Sequence, residues 1–317
     1  MAAASVPVIV GPTAIGKTAV ALALAKYWPL EVVSADSRQI YRRLDVATGK
    51  ATARERARVP HHGLDLVDPG TRHSAGRFGR EATGWIEEIR ARGAMPVVVG
   101  GTGLYVRALA EGLFVEPVMD PARRRTLDAW LARLEGIDLV RWAGRLDAGF
   151  AGGGRQRASR AVEVALLTGR PLSHWQSAAR SHGAITPWYV VLTAPRAVLH
   201  QRIERRVAEM MQRGLIEETA AVLSEGHAPG APGLDGVGTR EAIEYLQGLR
   251  PRESVAAAIV TRTRQYAKRQ ETWFRHQITG ERLTLDASRG PEAMAAEIAA
   301  AWDARRAARA HPYLDQS

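Results

Sequence analysis

VPVIVGPTAIGKTAVALALAKYW, residues 6–28, joins a short apolar run to a helical pattern through the loop GPTAIGKT, Gly11 to Thr18. The spacing G-x-x-x-x-G-K-[ST] between a strand and a helix is that of a P-loop. Its glycines let the backbone curl so that several N–H groups point inward, and the helix behind adds the positive end of its dipole. Gly11, Pro12, Thr13, Ala14, Ile15, Gly16, Lys17 and Thr18 are therefore the expected phosphate cradle. Lys17 supplies a cation for the outer phosphates and Thr18 a hydroxyl for Mg2+. The competing reading is a glycine-rich turn with no ligand. The loop specifies a polyphosphate without specifying a nucleotide, and a diphosphate fits too.

Outward from this loop, LEVVSA (30–35), PVVVGG (96–101) and WYVVLTA (188–194) are further apolar runs, each followed by a helical pattern. Apolar strands separated by helices predict an α/β fold: a P-loop core whose parallel sheet is covered by helices on both faces. Ligands of such sheets sit beyond the carboxyl ends of the strands. The P-loop, Asp36 and the turn GGTG (100–103) are thus expected at one edge. Between about 116 and 184 no strong strand pattern occurs, and VMDPARRRTLDAWLARLEG and RASRAVEVALLTGRP read as helices. The expected organisation is a discontinuous core, 1–115 with 185–317, interrupted by a mostly helical insertion domain, 116–184. GHAPGAPGLDGVG (226–238) reads as a loop and 255–276 as a long helix. The tail after about 300 has only a weak helical pattern, and its end is expected to be disordered.

At 317 residues the chain can bury a good core. Of its 44 basic residues four are lysine (Lys17, Lys26, Lys50, Lys268), leaving 40 arginines, and the net charge is +11. Positive charge suggests an anionic partner such as nucleic acid, although so strong an arginine skew also fits a biased genomic base composition. The absence of cysteine excludes disulfides, cysteine-ligated zinc and a cysteine nucleophile, and fits a reducing compartment. MAAASVPVIVG lacks the charged start of a signal peptide, and no apolar stretch approaches the roughly 18 residues of a membrane span. A soluble, cytoplasmic chain without membrane contact is expected.

Several stretches carry further chemistry. ADSRQIY (35–41) puts the Asp36 carboxylate at a strand end beside the P-loop, either as a magnesium-organising or capping group or as a general base. HHGLDLVDP (61–69) has two His and two Asp but no helix-spaced metal motif, so a structural role is expected, with the acids near magnesium. Thr102 in GGTG is placed to donate to a phosphate or a nucleic-acid backbone. Arg157 and Arg160 lie about one helical turn apart. Arg262, Arg269 and His276 share a helix face with Tyr266 and Trp273 beside it, a pattern that suits bases stacking on aromatics while arginines hold phosphates. For either stretch taken alone, a solvated charged face is the favoured reading. Arg205 and Arg206 are each either solvated or a clamp on a leaving phosphate.

The strings GPTAIGKT, DSRQIYRRLDVATGK, HHGLD, HSAGRF, PVVVGGTGLY, QRASRAVEV, TGRPLS, RVAEMMQRGL and TRQYAKRQETWFR occur in this order over roughly residues 7–275. Together they resemble the tRNA dimethylallyltransferases, also called tRNA isopentenyltransferases. The resemblance implies transfer of a dimethylallyl group from dimethylallyl diphosphate to the exocyclic N6 amine of the adenine just 3′ of the anticodon, in tRNAs reading codons that begin with U. It assigns the P-loop to the prenyl diphosphate, with Mg2+ at Thr18, and makes Asp36, Thr102 and Arg206 catalytic. Asp36 would accept the amine proton; Lys17 and Arg206 would stabilise the departing diphosphate. Asp36, Ser37, Arg38, Gln39, Thr102, Arg124, Gln156, Arg157, Ala158, Ser159 and Arg160 would face the tRNA, and the insertion would grip the anticodon stem-loop. A monomer suffices.

The sequence departs from the family pattern at three places. Ile15 stands where many members have Ser. AGGGRQR (151–157) replaces a stretch usually containing Pro-Asn-Asp. GTRE (238–241) replaces the common Gly-Tyr-Lys-Glu. The cysteine-free C-terminal region lacks the zinc finger of eukaryotic members, so a bacterial type is implied. The alternatives are a small-molecule kinase on the same P-loop core and a nucleic-acid-binding P-loop protein without transferase activity.

Overall fold

The computed structural model describes residues 4–113, 117–178 and 183–310. They form two compact units, Met1–Ala110 with Ala184–Ser317, and Glu111–Gly183. The first unit begins β1 (Ala4–Val10), α1 (Lys17–Leu24), β2 (Leu30–Ser34), α2 (Ala53–Arg58), β3 (His61–His62), α3 (Ala75–Ala91), β4 (Met95–Gly100) and α4 (Gly103–Ala110). The second unit holds α5 (Pro121–Leu131), α6 (Gly136–Leu146), α7 (Arg155–Thr168) and α8 (Leu172–Ala178). The chain then completes the first unit with β5 (Ile185–Thr193), α9 (Arg196–Gln212), α10 (Leu215–Ser224), α11 (Thr239–Leu246), α12 (Arg252–Gln277), β6 (Arg282–Asp286) and α13 (Pro291–Ala310).

The sheet has six parallel strands in the order β3-β2-β4-β1-β5-β6. Val6, Val8, Ile9 and Val10 of β1 are all fully buried, as a central parallel strand covered on both faces requires. The four apolar runs form β1, β2, β4 and β5. The two remaining strands were not anticipated. β3 is two residues long, and β6 (Arg-Leu-Thr-Leu-Asp) is an edge strand whose Leu285 alone is fully buried. Neither contains the continuous apolar run that marks a central strand.

Register explains why distant loops meet. Val10 pairs with Gly100, so the chain leaves β1 and β4 at the same level. Ser34 pairs with Val99, which puts the β2 exit beside them. Two backbone bonds carry the ladder past the strands: Ala35 N–H donates to Val99 at 2.8 Å, and Thr102 N–H donates to Ala35 at 3.2 Å. The P-loop, Asp36 and the GGTG turn therefore share one edge.

The stretch after residue 300 is more regular than expected. It belongs to the 20-residue α13, which packs on α1. Met294, Ala295, Ile298, Ala299 and Trp302 are buried in the main core. Trp302 lies between Trp188 and Trp28, with ring centroids 5.4 and 6.2 Å away. The Ala- and Arg-rich composition dilutes the apolar stripe without abolishing it. Residues 311–317, where disorder was expected, lie outside the described residues.

The helical unit has its own small core of Leu131, Leu139, Ala143, Ala158, Ala161 and Val162. Arg155, in the departing stretch and the first residue of α7, donates to the carbonyls of Leu131 at 3.0 Å, Ala132 at 2.8 Å and Leu134, and so caps the C-terminal end of α5.

Candidate active site

The strand edge opens into a cleft of about 990 Å3, lined among others by Lys17, Thr18, Asp36, Gly49, Arg206 and Tyr266. Basic side chains outnumber acidic ones in its wall. At its base Gly16 is left-handed, φ 105°, and opens α1. Thr13, Ala14, Gly16, Lys17 and Thr18 line the cleft. Gly11, Pro12 and Ile15 are buried behind them, Ile15 with its side chain in the main core. Lys17 Nζ donates to the carbonyls of Gly11 at 2.9 Å and Pro12 at 2.8 Å. Burial lowers its pKa to about 8; Asp36 opposes that shift and Arg206 adds to it.

Asp36 heads a tight turn in which its Oδ1 accepts the Arg38 N–H at 2.9 Å. The Thr102 hydroxyl accepts the Ser37 N–H at 3.0 Å and lies 3.2 Å from the Ser37 hydroxyl. Thr102 does not line the cleft; it fastens the GGTG turn to the segment that carries Asp36. Gln39 lines the wall, accepts from the Ser34 hydroxyl at 3.0 Å and donates to the Gly49 carbonyl at 3.3 Å. Arg38 donates to the Pro232 carbonyl at 3.0 Å and so ties down the 226–238 loop.

The segment after Gln39 is held by charges that sequence reading did not single out. The Glu218 carboxylate on α10 accepts the N–H groups of Asp45, Val46 and Ala47 at 2.7, 2.7 and 2.8 Å. Lys50, with its side chain 1% exposed, bonds the Tyr41 carbonyl, Asp45 and Asp65 at 2.6, 2.7 and 2.6 Å. Asp65 also pairs with Arg56 at 3.1 Å, and Asp68 with Arg43 at 2.9 Å. The acids of HHGLDLVDP therefore fasten loops, the structural role expected of them, and are not among the residues that line the cleft. His62 pairs with Glu31 at 2.7 Å, and His61 Nδ1 lies 2.7 Å from the Val59 carbonyl.

This scaffold presents Gly49 to Arg206. Gly49 has φ +58°, and a Cβ there would lie 2.1 Å from Arg206 Nη2. Both arginines line the cleft, but Arg206 is half-buried there, whereas the Arg205 side chain is 76% exposed and pairs loosely with Glu209 at 3.7 Å. Surrounding protein lowers the pKa of Arg206, and the negative charges of Asp36 and Glu209 resist that shift.

α12 supplies the opposite wall. Gln270 Oε1 accepts the Thr13 N–H at 2.8 Å and its Nε2 donates to the Gly101 carbonyl at 2.9 Å. One turn on, the Trp273 ring packs so closely on Gly103 that a Cβ there would lie 2.3 Å from it. Tyr266 and Arg269 line the cleft, with the guanidinium 5.8 Å above the ring. Burial and Asp36 push the Tyr266 hydroxyl up to about 12, so it stays neutral. Arg262 reaches the cleft but is held by Glu241 at 2.9 Å and Glu244 at 3.1 Å. His276 is exposed and away from the cleft. In GTRE the Thr239 hydroxyl donates to the Leu234 carbonyl at 2.8 Å, folding the preceding loop back on itself. Gln270 was within reach of sequence reading, inside AKRQETW. Gly49 was likewise inside a quoted string, DSRQIYRRLDVATGK, whereas Glu218 carried no pattern.

In the helical unit, Arg124 Nε bonds the buried Glu163 at 2.5 Å, and Arg160 bonds the other carboxylate oxygen. Gln156 and Arg157 are exposed on α7, and Ser159 is half-buried. Ala158 is fully buried in the unit's core, so its side chain packs inward and does not face a ligand.

A family model described as IPP transferase matches residues 39–277, and one described as Isopentenyl transferase matches residues 4–60. The curated tRNA dimethylallyltransferase of Bordetella petrii is 43% identical over 297 residues, 91% of this chain and 94% of that one. That of Halorhodospira halophila is 43% identical over 290 residues, 88% and 92% of the two chains. Among solved structures, the full-length tRNA isopentenylpyrophosphate transferase of Bacillus halodurans superposes with TM-score 0.70 at 32% identity, covering 97% of this chain and 99% of that one. A eukaryotic dimethylallyltransferase solved acting on tRNA gives TM-score 0.71 at 27% identity over 90% of this chain and 74% of that one. A P-loop, an acidic turn and an inward arginine around one cleft thus occur in a chain that belongs, over nearly its whole length, to the IPP transferase family of tRNA dimethylallyltransferases.

Proposed function

We propose that this chain transfers the dimethylallyl group of dimethylallyl diphosphate to N6 of the adenine 3′-adjacent to the anticodon, in tRNAs reading codons that begin with U, and releases diphosphate. The observation that carries this reading is the convergence of Lys17, Arg206 and Asp36 in one cleft. An aromatic exocyclic amine is a weak nucleophile, so the reaction depends on a good leaving group. As the carbon–oxygen bond breaks, its electron pair goes to the diphosphate, whose growing charge the P-loop amides, Lys17 and Arg206 stabilise. The N6 lone pair forms the new carbon–nitrogen bond. The amine becomes strongly acidic on alkylation, so the Asp36 carboxylate suffices to take its proton. The adenine must leave its stack to enter the cleft.

Mg2+ fits the residues present. It would be held by a protein oxygen together with substrate phosphates and water, and the Thr18 hydroxyl lines the cleft. Bound there, it neutralises leaving-group charge.

Asp36 to Gln39, with Thr102 behind them, contact the tRNA in this reading. The helical unit binds the anticodon stem-loop through Gln156, Arg157 and Ser159, with Arg124 and Arg160 around Glu163. The enzyme works as a monomer in the cytoplasm; among the described residues no helix is long and apolar enough to cross a membrane. A small-molecule kinase would place Asp36 and an arginine similarly, but the family match disfavours it. The test is transfer of labelled dimethylallyl diphosphate, with Mg2+, to a UNN-reading tRNA carrying that adenine, with ATP alone as control. Label that depends on the adenine is expected. No label, with ADP formed in the control, would restore the kinase reading.

A further inference from the structure

Gln270 is 6% exposed, and both ends of its carboxamide bind backbone. Its oxygen takes the Thr13 N–H, which withdraws one amide from the set a P-loop offers to phosphate. Its nitrogen and the lysine meet the same turn: a Cβ on Gly101 would lie 2.3 Å from Gln270 Nε2 and 3.6 Å from Lys17 Nζ. Lys17 already donates to two loop carbonyls, so one of its three protons is left for a phosphate oxygen. In nucleoside-triphosphate P-loops this lysine reaches the β- and γ-phosphates. Here the carboxamide is fixed in the cleft wall between the P-loop and the GGTG turn.

Charge alone would favour a longer anion. The wall also holds Arg38, Arg202, Arg206, Arg213 and Arg269, and a tripolyphosphate carries more negative charge than a diphosphate. Discrimination against it requires a steric and hydrogen-bonding obstacle. We propose that Gln270 is that obstacle and sets the length of the phosphate chain: the loop accepts a diphosphate and excludes a third phosphoryl group. The inference rests on the reading that the P-loop holds the donor's diphosphate. It makes Gln270 a specificity-determining residue that takes no part in bond making.

The test is calorimetric titration of the full chain with the Mg2+ complexes of inorganic diphosphate and of tripolyphosphate, without RNA or prenyl donor. The wild-type chain should bind diphosphate more tightly by about tenfold or more. Gln270→Ala should erase that preference, tripolyphosphate gaining about tenfold while diphosphate changes less than about threefold. Gln270→Glu keeps the volume and adds a negative charge, so it should retain the exclusion. If Gln270→Ala lacks a cooperative melt, Gln270→Asn, one methylene shorter, replaces it with the same expected direction. Equal wild-type affinity for the two anions, or a ratio unchanged in the shortened variant, overturns the proposal. Intact prenyl transfer with no anion preference overturns the role of Gln270 alone. Intact anion preference with no prenyl transfer faults the assigned reaction and leaves Gln270 in place. Failure to bind either anion overturns both.

Discussion

Asp36, Arg206, Lys17 and Gly49 meet because the P-loop, the turn after β2, the loop carrying Gly49 and α9 converge on one cleft, and each supplies a distinct property. In the proposed transfer Asp36→Asn keeps the shape and loses the proton acceptor; kcat should fall by about 10²–10⁴ with little change in KM for dimethylallyl diphosphate. Arg206→Ala should also lose most turnover, since it removes a leaving-group cation. Near-normal turnover in either variant, read by single-turnover transfer, would remove that residue's role. Lys17 sets the alkaline limit. Burial holds its pKa near 8, below the ordinary 10.5, so its charge is lost as pH rises through about 8. The pH profile of kcat/KM for dimethylallyl diphosphate should therefore bend downward there. The sign for stability is opposite. Between these two values the unfolded chain binds more protons than the folded one, so this lysine makes folding more favourable as pH rises. Gly49→Ala meets Arg206 at a left-handed backbone position. It should cost about 1 kcal/mol of stability yet depress turnover nearly as far as Arg206→Ala, which separates a displaced guanidinium from an unfolded chain.

At the scale of elements, how much was legible depended on whether an element carries its own pattern. Four central strands announced themselves as apolar runs, because a parallel strand covered on both faces admits little polar surface. β6 did not, because an edge strand packs on fewer neighbours, and β3 is too short to carry any pattern. α13 was underestimated because its stripe consists of alanines and a few large residues. Its weight is tertiary. Trp302 fills the space between Trp28 and Trp188, so Trp302→Ala should destabilise the chain by about 3–5 kcal/mol, seen as a lowered midpoint in denaturant with activity per folded molecule retained. α12 was legible as a helix with aromatics and arginines, but not as the element that joins the P-loop to the GGTG turn. That role depends on Gln270 and Trp273, one turn apart, meeting two loops from distant parts of the chain.

For the whole molecule, net charge was a weak guide, and local placement is what matters. Many of the arginines are used internally. Arg155 caps α5, Arg262 pairs with Glu241 and Glu244, and Arg124 and Arg160 flank Glu163. Exposed Arg157 on α7 is the better candidate for a phosphate contact. Arg157→Ala should weaken binding of an anticodon stem-loop and reduce the slope of log K against log salt by about 0.7–0.9. An unchanged slope, measured by fluorescence titration across salt concentrations, would exclude a phosphate contact there. The melting temperature should stay within a degree or two, because an exposed side chain contributes little to packing.

The sequence by itself determined the α/β architecture, the strand–loop–helix that opens it, and, through ordered motifs from residue 7 to 275, the family. Those features are local: a strand's apolar run, a loop's spacing and a motif's order are all written in neighbouring residues. Tertiary structure alone decided which charges are free to act. Arg206 is half-buried in the cleft wall, and Arg205 beside it stays exposed. Asp65 and Asp68 pair with basic side chains of the loops they fasten. Ala158 turns inward, and Gln270 closes the P-loop. Each of these outcomes depends on partners far away in the chain: Gly49 with Arg206, Lys50 with Asp65, Thr13 with Gln270. A side chain's availability is set by what folding brings against it, and no window of neighbouring residues contains that information.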